Sequence, residues 1–180
     1  MRVEAFGALR GGRPMRLDHA GVSDETRAFT LSNVAPGKVS LMGMPRNIRS
    51  SEHAPFTIER TVTGGGTVSL GDITVVRRRL KPGERAGTLG ITFVKPAGPP
   101  ADQLGPELEI EAIDPRGPAA GSALQVGDVI IRCDGLDVTE DPMRFGALTQ
   151  APAGTRLALG TRRGPTATIV LAPATQPRGE

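Results

Sequence analysis

The sequence has few of the residue types that most often carry chemistry. Its 180 residues include no tryptophan, no tyrosine, two histidines and a single cysteine, Cys133. One cysteine excludes an internal disulfide, and its position in "VIIRCDG" favours a half-buried strand residue over a nucleophile. His19 and His53 have no cysteine or i+4 histidine partner, so the pattern predicts surface-loop histidines and no metal site.

Long hydrophobic runs are also missing. No stretch approaches the ~20 apolar residues that cross a bilayer, and no charged-then-apolar signal segment opens the chain. The sequence as given therefore predicts a soluble, cytoplasmic chain without direct membrane insertion. The cell envelope or the exterior is the alternative if Met1 opens a piece of a longer exported protein.

Charge is unevenly distributed along the chain. Residues 1–85 carry 14 Lys and Arg against 8 Asp and Glu, whereas residues 86–180 carry 8 against 11. This split favours two modules. The basic half has scattered arginines and only three phenylalanines for stacking on bases, which argues against a nucleic-acid partner. The run "RRR" at 77–79 is interpreted as part of a solvated connection.

Turn-forming residues are abundant, with 24 glycines and 16 prolines. Short runs rich in Val, Ile, Leu and Thr lie between these turn signals, and long helical periodicities are scarce. The chain is therefore predicted to be mainly β.

Two turn signals divide the first half into predicted hairpins. In "AFTLSNVAPGKVSLMGMP" (28–45), alternating segments flank Pro36-Gly37, which suits a type II turn because Pro fixes φ and Gly accepts a positive φ. Further on, "TGGG" separates "FTIERTV" (56–62) from "TVSLGDITVV" (67–76), which predicts a second hairpin.

The segments "FTLSNVAPGKV" and "GGTVSLGDI" resemble the carboxypeptidase regulatory-like, or transthyretin-like, β-sandwich. The resemblance implies an accessory sandwich domain over residues 1–79. Residues 1–21 are a poor match for the opening strand pair of that family, so the sandwich is expected to be truncated or divergent.

The second half begins its long motif with a strand pattern. "ELEIEAI" places Leu108 and Ile110 on one face and three glutamates on the other, which predicts a strand with one exposed face. The small residues of "GPAAGSA" (117–123) then favour one helical turn.

A buried strand between two corners is predicted next. In "LQVGDVIIRCDG" (124–135), Leu124 and Val126 are predicted core residues, and the strand is predicted to bury Val129 and Ile131. Gly-Asp and Asp-Gly pairs supply the turns at its two ends.

One helix and a closing hairpin complete the pattern. Asp141 and Pro142 are predicted as the N-cap and first residue of a helix, with Phe145 and Leu148 on one face of it. "TRLALGTRRG" and "PTATIVLAP" (155–173) form the predicted hairpin.

The motif "GPAAGSALQVGDVIIRCDGLDV" and the segment "TLGITF" resemble the PDZ domain in its bacterial, HtrA-like arrangement. This resemblance implies a partly open β-barrel with one main helix and one short helix. The predicted organisation is a sandwich at 1–79, a linker at 80–87, a PDZ domain at 88–174 and a flexible tail at 175–180.

"TLGITF" carries the expected chemistry. Consecutive backbone N–H groups in a tight loop can hold a terminal carboxylate, and Gly90 allows the backbone to curl without a Cβ. The strand after it offers an edge to which a peptide can add. The resemblance implies a peptide site that includes part of the helix, formed by Thr88, Leu89, Gly90, Ile91, Thr92, Phe93, Asp141, Phe145 and Leu148.

The predicted function is peptide binding without catalysis. The implied partner is a protein or peptide C-terminus with an apolar last residue, and no cofactor is expected. No "GNSGG"-like nucleophile loop and no HExxH occurs, so the chain is not predicted to be an enzyme. The alternatives are the regulatory part of a larger protease or secreted multidomain protein, and a structural scaffold with a silent groove. The oligomeric state stays open.

Overall fold

The computed structural model describes residues 2–8, 14–22, 28–45, 47, 51–81, 83–95 and 107–174. The chain divides into two compact units, residues 1–77 (unit 1) and 78–180 (unit 2). Strands dominate the described residues, which confirms the prediction of a mainly β chain. The elements are β1 Arg2–Ala8, β2 Pro14–Val22, β3 Gly37–Met44, β4 Phe56–Val62, β5 Gly87–Thr88, β6 Ile91–Phe93, β7 Leu108–Ile113, β8 Val129–Cys133, β9 Leu136–Asp137, α1 Pro142–Thr149, β10 Arg156–Thr161, β11 Thr166–Val170 and β12 Ala172–Pro173.

Unit 1 contains a four-stranded antiparallel sheet in the order β2-β1-β3-β4. Alternate residues of the two adjacent strands β3 and β4 are buried on one face: Val39, Leu41, Phe56 and Ile58. The Phe56 ring lies over Gly43 on the neighbouring strand, where a Cβ would come within 2.0 Å of the ring. The sheet core therefore requires glycine at this position.

In each of the two hairpins predicted for unit 1, one of the two predicted strands does not form. Residues 28–36 and 67–76 form no strands. For residues 28–36 the reason lies in the sheet order, because β1 and β4 occupy both edges of β3, the predicted partner strand. Apolar side chains of both segments instead pack against the buried face, namely Phe29, Leu31, Val34, Leu70, Ile73 and Val75.

The opening segment, although a poor match for the first strand pair of the resembled family, contains two strands. Strands β1 and β2 pair with each other, with a register shift between Glu4 and Phe6. Pairing with β3 supplies the hydrogen-bonding partners that the weak local pattern did not reveal. The described residues of unit 1 form one sheet, and the sandwich stays a prediction.

Unit 2 is built on a sheet in the order β11-β10-β8-β7-β6, with β9 paired to β8 and a separate pair formed by β12 and β5. The predicted linker, residues 80–87, lies within this unit, and its last residue, Gly87, pairs with Pro173. Segment 117–123 forms hydrogen-bonded turns, with Ala120 N–H to the Gly117 carbonyl at 3.1 Å. The buried apolar side chains include Leu108, Ile110, Leu124, Ile130, Cys133, Val138, Phe145, Leu148, Leu157, Leu159, Ile169 and Leu171.

The core residues predicted for β7 are confirmed, whereas those of β8 are wrong. Ile130 is buried, while Val129 and Ile131 are only partly buried. Ile130 pairs with Leu108, and residues directly opposite each other share a face, so Ile130 faces the same core as Leu108. Cys133 is fully buried, more than the half-buried position predicted.

A further core prediction in this segment, that of Val126, is also wrong. Val126 is 65% exposed. It lies inside a turn that the Asp128 N–H closes onto the Gln125 carbonyl, and its side chain points outward from that corner. Leu124, the other core residue predicted here, is buried as expected.

Helix α1 begins as predicted. The Asp141 side chain accepts a hydrogen bond from the Arg144 N–H, and Pro142 lies in the first turn. Phe145 and Leu148 are 2% and 3% exposed, which confirms that they share the buried face. Over the described residues, no helix has the length and hydropathy to span a membrane.

Candidate functional site

The loop at residues 88–91 turns tightly at Gly90. Gly90 has φ of +68°, and its carbonyl accepts the Asp114 N–H at 2.8 Å. A Cβ on Gly90 would lie 2.9 Å from the Gly117 Cα and 3.1 Å from the Pro118 Cδ. Glycine is therefore required both by the left-handed backbone and by the close approach of the 114–118 turn.

Strand β6 follows this loop and lies at one end of the sheet order. Among the described strands only β7 pairs with it. The Gly90 carbonyl and the Val94 N–H both bond to β7 or its flanking residues. Because backbone groups alternate along a strand, the N–H and C=O groups of Ile91 and Phe93 point toward the outer edge. This edge can accept an additional strand.

The side chains of β6 divide between two faces. Ile91 and Phe93 are partly buried, whereas Thr92 is exposed. The Phe93 ring contacts Phe145 of α1 edge to face, with ring centroids 5.3 Å apart and planes at 83°. This contact joins the strand to the helix, so it places the predicted strand residues and the predicted helix residue at one site.

The remaining predicted site residues lie deeper. Leu89, Phe145 and Leu148 are almost fully buried, so they can line the base of a site but expose little surface. Asp141 is 1% exposed, and its carboxylate accepts a hydrogen bond from the Arg144 N–H in the first turn of the helix. The Arg144 Nε lies 3.9 Å from the Asp141 Oδ2. Asp141 thus holds the helix start in place and has no direct access to a ligand in this structure.

One interaction at the loop was missed by the sequence reasoning. The Gly90 N–H donates to the Thr88 Oγ1 at 3.1 Å. A threonine two residues before a glycine is a known pattern for a side-chain-closed turn, and that signal could have revealed it. Thr88 therefore ends β5 and also closes the loop that follows through its side chain.

Carboxylates elsewhere in unit 2 are engaged in structural bonds. Asp128 accepts Arg163 Nε at 2.8 Å, Arg163 Nη2 at 3.1 Å and the Gln125 N–H at 2.9 Å. The hydrogen bonds from Arg163 hold the pKa of Asp128 below its ordinary value of 3.8, against the opposing effect of burial. A carboxylate in this setting closes a corner and is not a proton donor at neutral pH.

The single thiol is not a nucleophile in the folded chain. Cys133 is fully buried, and burial raises its pKa to about 12, with a smaller contribution from the charge of Asp134. Over the part of the chain that the structure describes, no group of three or more His, Cys, Asp or Glu side chains is placed to hold a metal ion.

Comparisons with protein families and with curated proteins identify no relative of this chain. A scan against protein-family models finds no match, and a search of curated proteins finds no significant one.

Proposed function

We propose that unit 2 is a PDZ-like module that binds an extended peptide by strand addition at β6, with the peptide's free C-terminus held at the loop 88–91. The observation that carries the proposal is the combination of an edge strand with a left-handed glycine loop directly before it. Strand addition uses main-chain hydrogen bonds for affinity and side-chain pockets for selectivity.

The outer edge of β6 sets the register of the ligand. Ile91 and Phe93 each offer one N–H and one C=O, so a peptide strand that pairs with β6 can form hydrogen bonds at alternate residues. A carboxylate at the end of that strand then lies beside the loop, where backbone N–H groups favour a negative charge.

The side chains at this site favour an apolar last residue. Leu89 and Ile91 supply apolar side chains at the loop, and Phe93 against Phe145 continues the apolar surface along the strand. A charged terminal side chain would lose its hydration there without gaining an opposite charge among these residues.

A silent scaffold is the second candidate, and one observation favours it. Phe145 and Leu148 are so deeply buried that a ligand side chain must displace neighbouring groups to reach them. In that case β6 would serve only to complete the sheet.

A titration of the full chain distinguishes the two candidates. The probes are acetylated hexapeptides that end in valine, leucine or phenylalanine, each prepared as the free acid and as the C-terminal amide. We expect the free acids to shift the backbone amide signals of Leu89 and Ile91 at micromolar to millimolar concentrations, and the amides to bind more weakly. Absence of any shift on β6 or its loop would favour the scaffold.

A further inference from the structure

The middle amide of the loop is already hydrogen-bonded without a ligand. The Gly90 N–H donates to the hydroxyl of Thr88, so it does not point freely toward a peptide. Three amides are expected to hold a carboxylate, those of Leu89, Gly90 and Ile91. Among the residues that the structure describes, no side chain accepts a hydrogen bond from the N–H of Leu89 or Ile91. The third amide, that of Gly90, is occupied by the Thr88 hydroxyl.

A hydroxyl in this position can act in place of the amide. It has one hydrogen to donate and two lone pairs, of which the Gly90 N–H uses one. No acceptor for the Thr88 hydrogen is found among the described residues, and Thr88 is only partly buried. Accepting a hydrogen bond polarises a hydroxyl and strengthens the bond that it donates.

We infer that the Thr88 hydroxyl, with the Gly90 N–H behind it, is the third donor to a ligand's terminal carboxylate, beside the N–H groups of Leu89 and Ile91. This inference rests on the proposed function and adds the residue that selects the ligand class. A carboxylate has acceptor sites for three donors, whereas a terminal amide directs an NH₂ group at one of them. Thr88 therefore selects free C-termini over amidated or internal peptide segments.

The test compares Thr88→Val with Thr88→Ser in the full chain. Valine keeps the β-branched shape and removes the hydroxyl, whereas serine keeps the hydroxyl. The probes are the same hexapeptide pairs, and dissociation constants are taken from the amide shifts of Leu89 and Ile91. The Gly90 amide signal without peptide reports whether the hydroxyl contact is lost, and unchanged signals elsewhere in unit 2 report that the fold is intact.

We expect Thr88→Val to weaken free-acid binding about tenfold, as expected for loss of one hydrogen bond to a charged group, and to leave amide binding unchanged. Thr88→Ser should stay within about twofold of the wild type for both. Equal or tighter free-acid binding by Thr88→Val overturns the inference while the proposed function stands. A parallel loss for acid and amide also overturns it, because that pattern reports a distorted edge. No binding by the wild type overturns the proposed function and this inference together.

Discussion

The corners of the two units are held by different means. Every aspartate of unit 2 among residues 107–174 accepts a hydrogen bond from a nearby or cross-strand backbone N–H: Asp114, Asp128, Asp134, Asp137 and Asp141. In the described part of unit 1, the side-chain acceptors for backbone N–H groups include the neutral hydroxyls of Ser51 and Ser69, at 3.1 and 3.4 Å. The chain path of unit 2 is therefore specified locally by charged acceptors, whereas that of unit 1 depends on packing against one sheet face.

This difference determines how each unit responds to substitution. In unit 2 a corner can lose its acceptor while the core beneath it stays filled, so damage is local and graded. In unit 1 the segments 28–36 and 67–76 are held by apolar contacts to four core residues. A change to that face removes the support of both segments at once.

The largest effect is expected at the helix of unit 2. Phe145→Ala removes a 2% exposed ring that contacts Phe93, and should lower the free energy of unfolding by about 3–5 kcal/mol. Urea unfolding measures the loss. The rate at which a thiol reagent labels Cys133 provides a second measurement. Cys133 is the only cysteine of the sequence and is buried, so it reacts only when unit 2 opens.

Met143→Ala is the matched control on the same helix. Met143 is 42% exposed, so its truncation should change stability by less than about 0.5 kcal/mol. Equal losses from the two variants would show that the helix is held by its length or its cap and not by the Phe145 contact.

A single methyl group should disrupt unit 1 almost as strongly. Gly43→Ala places a Cβ within 2.0 Å of the Phe56 ring, so the ring must leave its position or β3 and β4 must separate. We expect a loss of about 2–4 kcal/mol, measured as faster amide hydrogen exchange along β3 and β4. Gly66→Ala is the control, since nothing lies within 4 Å of a Cβ there. If both variants exchange like the wild type, the ring does not pack over Gly43.

An intermediate effect is expected at the Gly-Asp corner of unit 2. Asp128→Asn removes the charge that holds Arg163 and should cost about 1–3 kcal/mol in urea unfolding at neutral pH. Glu107→Gln removes the charge from an exposed pair with Arg162 at 2.8 Å and should have little measurable effect. A larger loss from Glu107→Gln would contradict the assignment of Asp128 as the structural acceptor.

The same carboxylate predicts the direction of the pH dependence. Since the folded pKa of Asp128 is lowered, its contribution is fully present above the ordinary value of 3.8 and is lost as the pH falls through the folded pKa. The wild type should lose stability steeply below about pH 4, whereas Asp128→Asn should lose less over the same range. Urea midpoints at pH 7 and pH 3 for both proteins measure the difference, and parallel losses would exclude Asp128 as the source.

The sequence predicted unit 2 better than unit 1 because aspartate, glycine and proline act locally. Asp141 with Pro142 located the helix start, and Asp134 with Gly135 located a turn in which both residues have positive φ. Strand partners are not local, so alternation in residues 28–36 predicted a strand beside β3, although β1 and β4 occupy both edges of β3. At the candidate site, the loop glycine was predictable from its type, and the Thr88 hydroxyl bond, which spans two residues, had a local signal in the threonine before that glycine. The depth of Phe145 was not predictable in this way, because it depends on neighbours distant in sequence such as Phe93.

The smallest effect is expected at Val126, which the sequence placed in the core together with Leu124. Leu124 is 5% exposed and Val126 is 65% exposed, although they are two residues apart in an apparently alternating segment. Leu124→Ala should lower stability by about 2–4 kcal/mol, whereas Val126→Ser should change it by less than about 0.5 kcal/mol, because serine suits a corner and little apolar surface is lost. Urea unfolding of both variants decides between them. A substantial loss from Val126→Ser would mean that Val126 is buried in the folded protein. In that case the alternating pattern of the segment, and not its turn residues, would predict the burial of Val126 correctly.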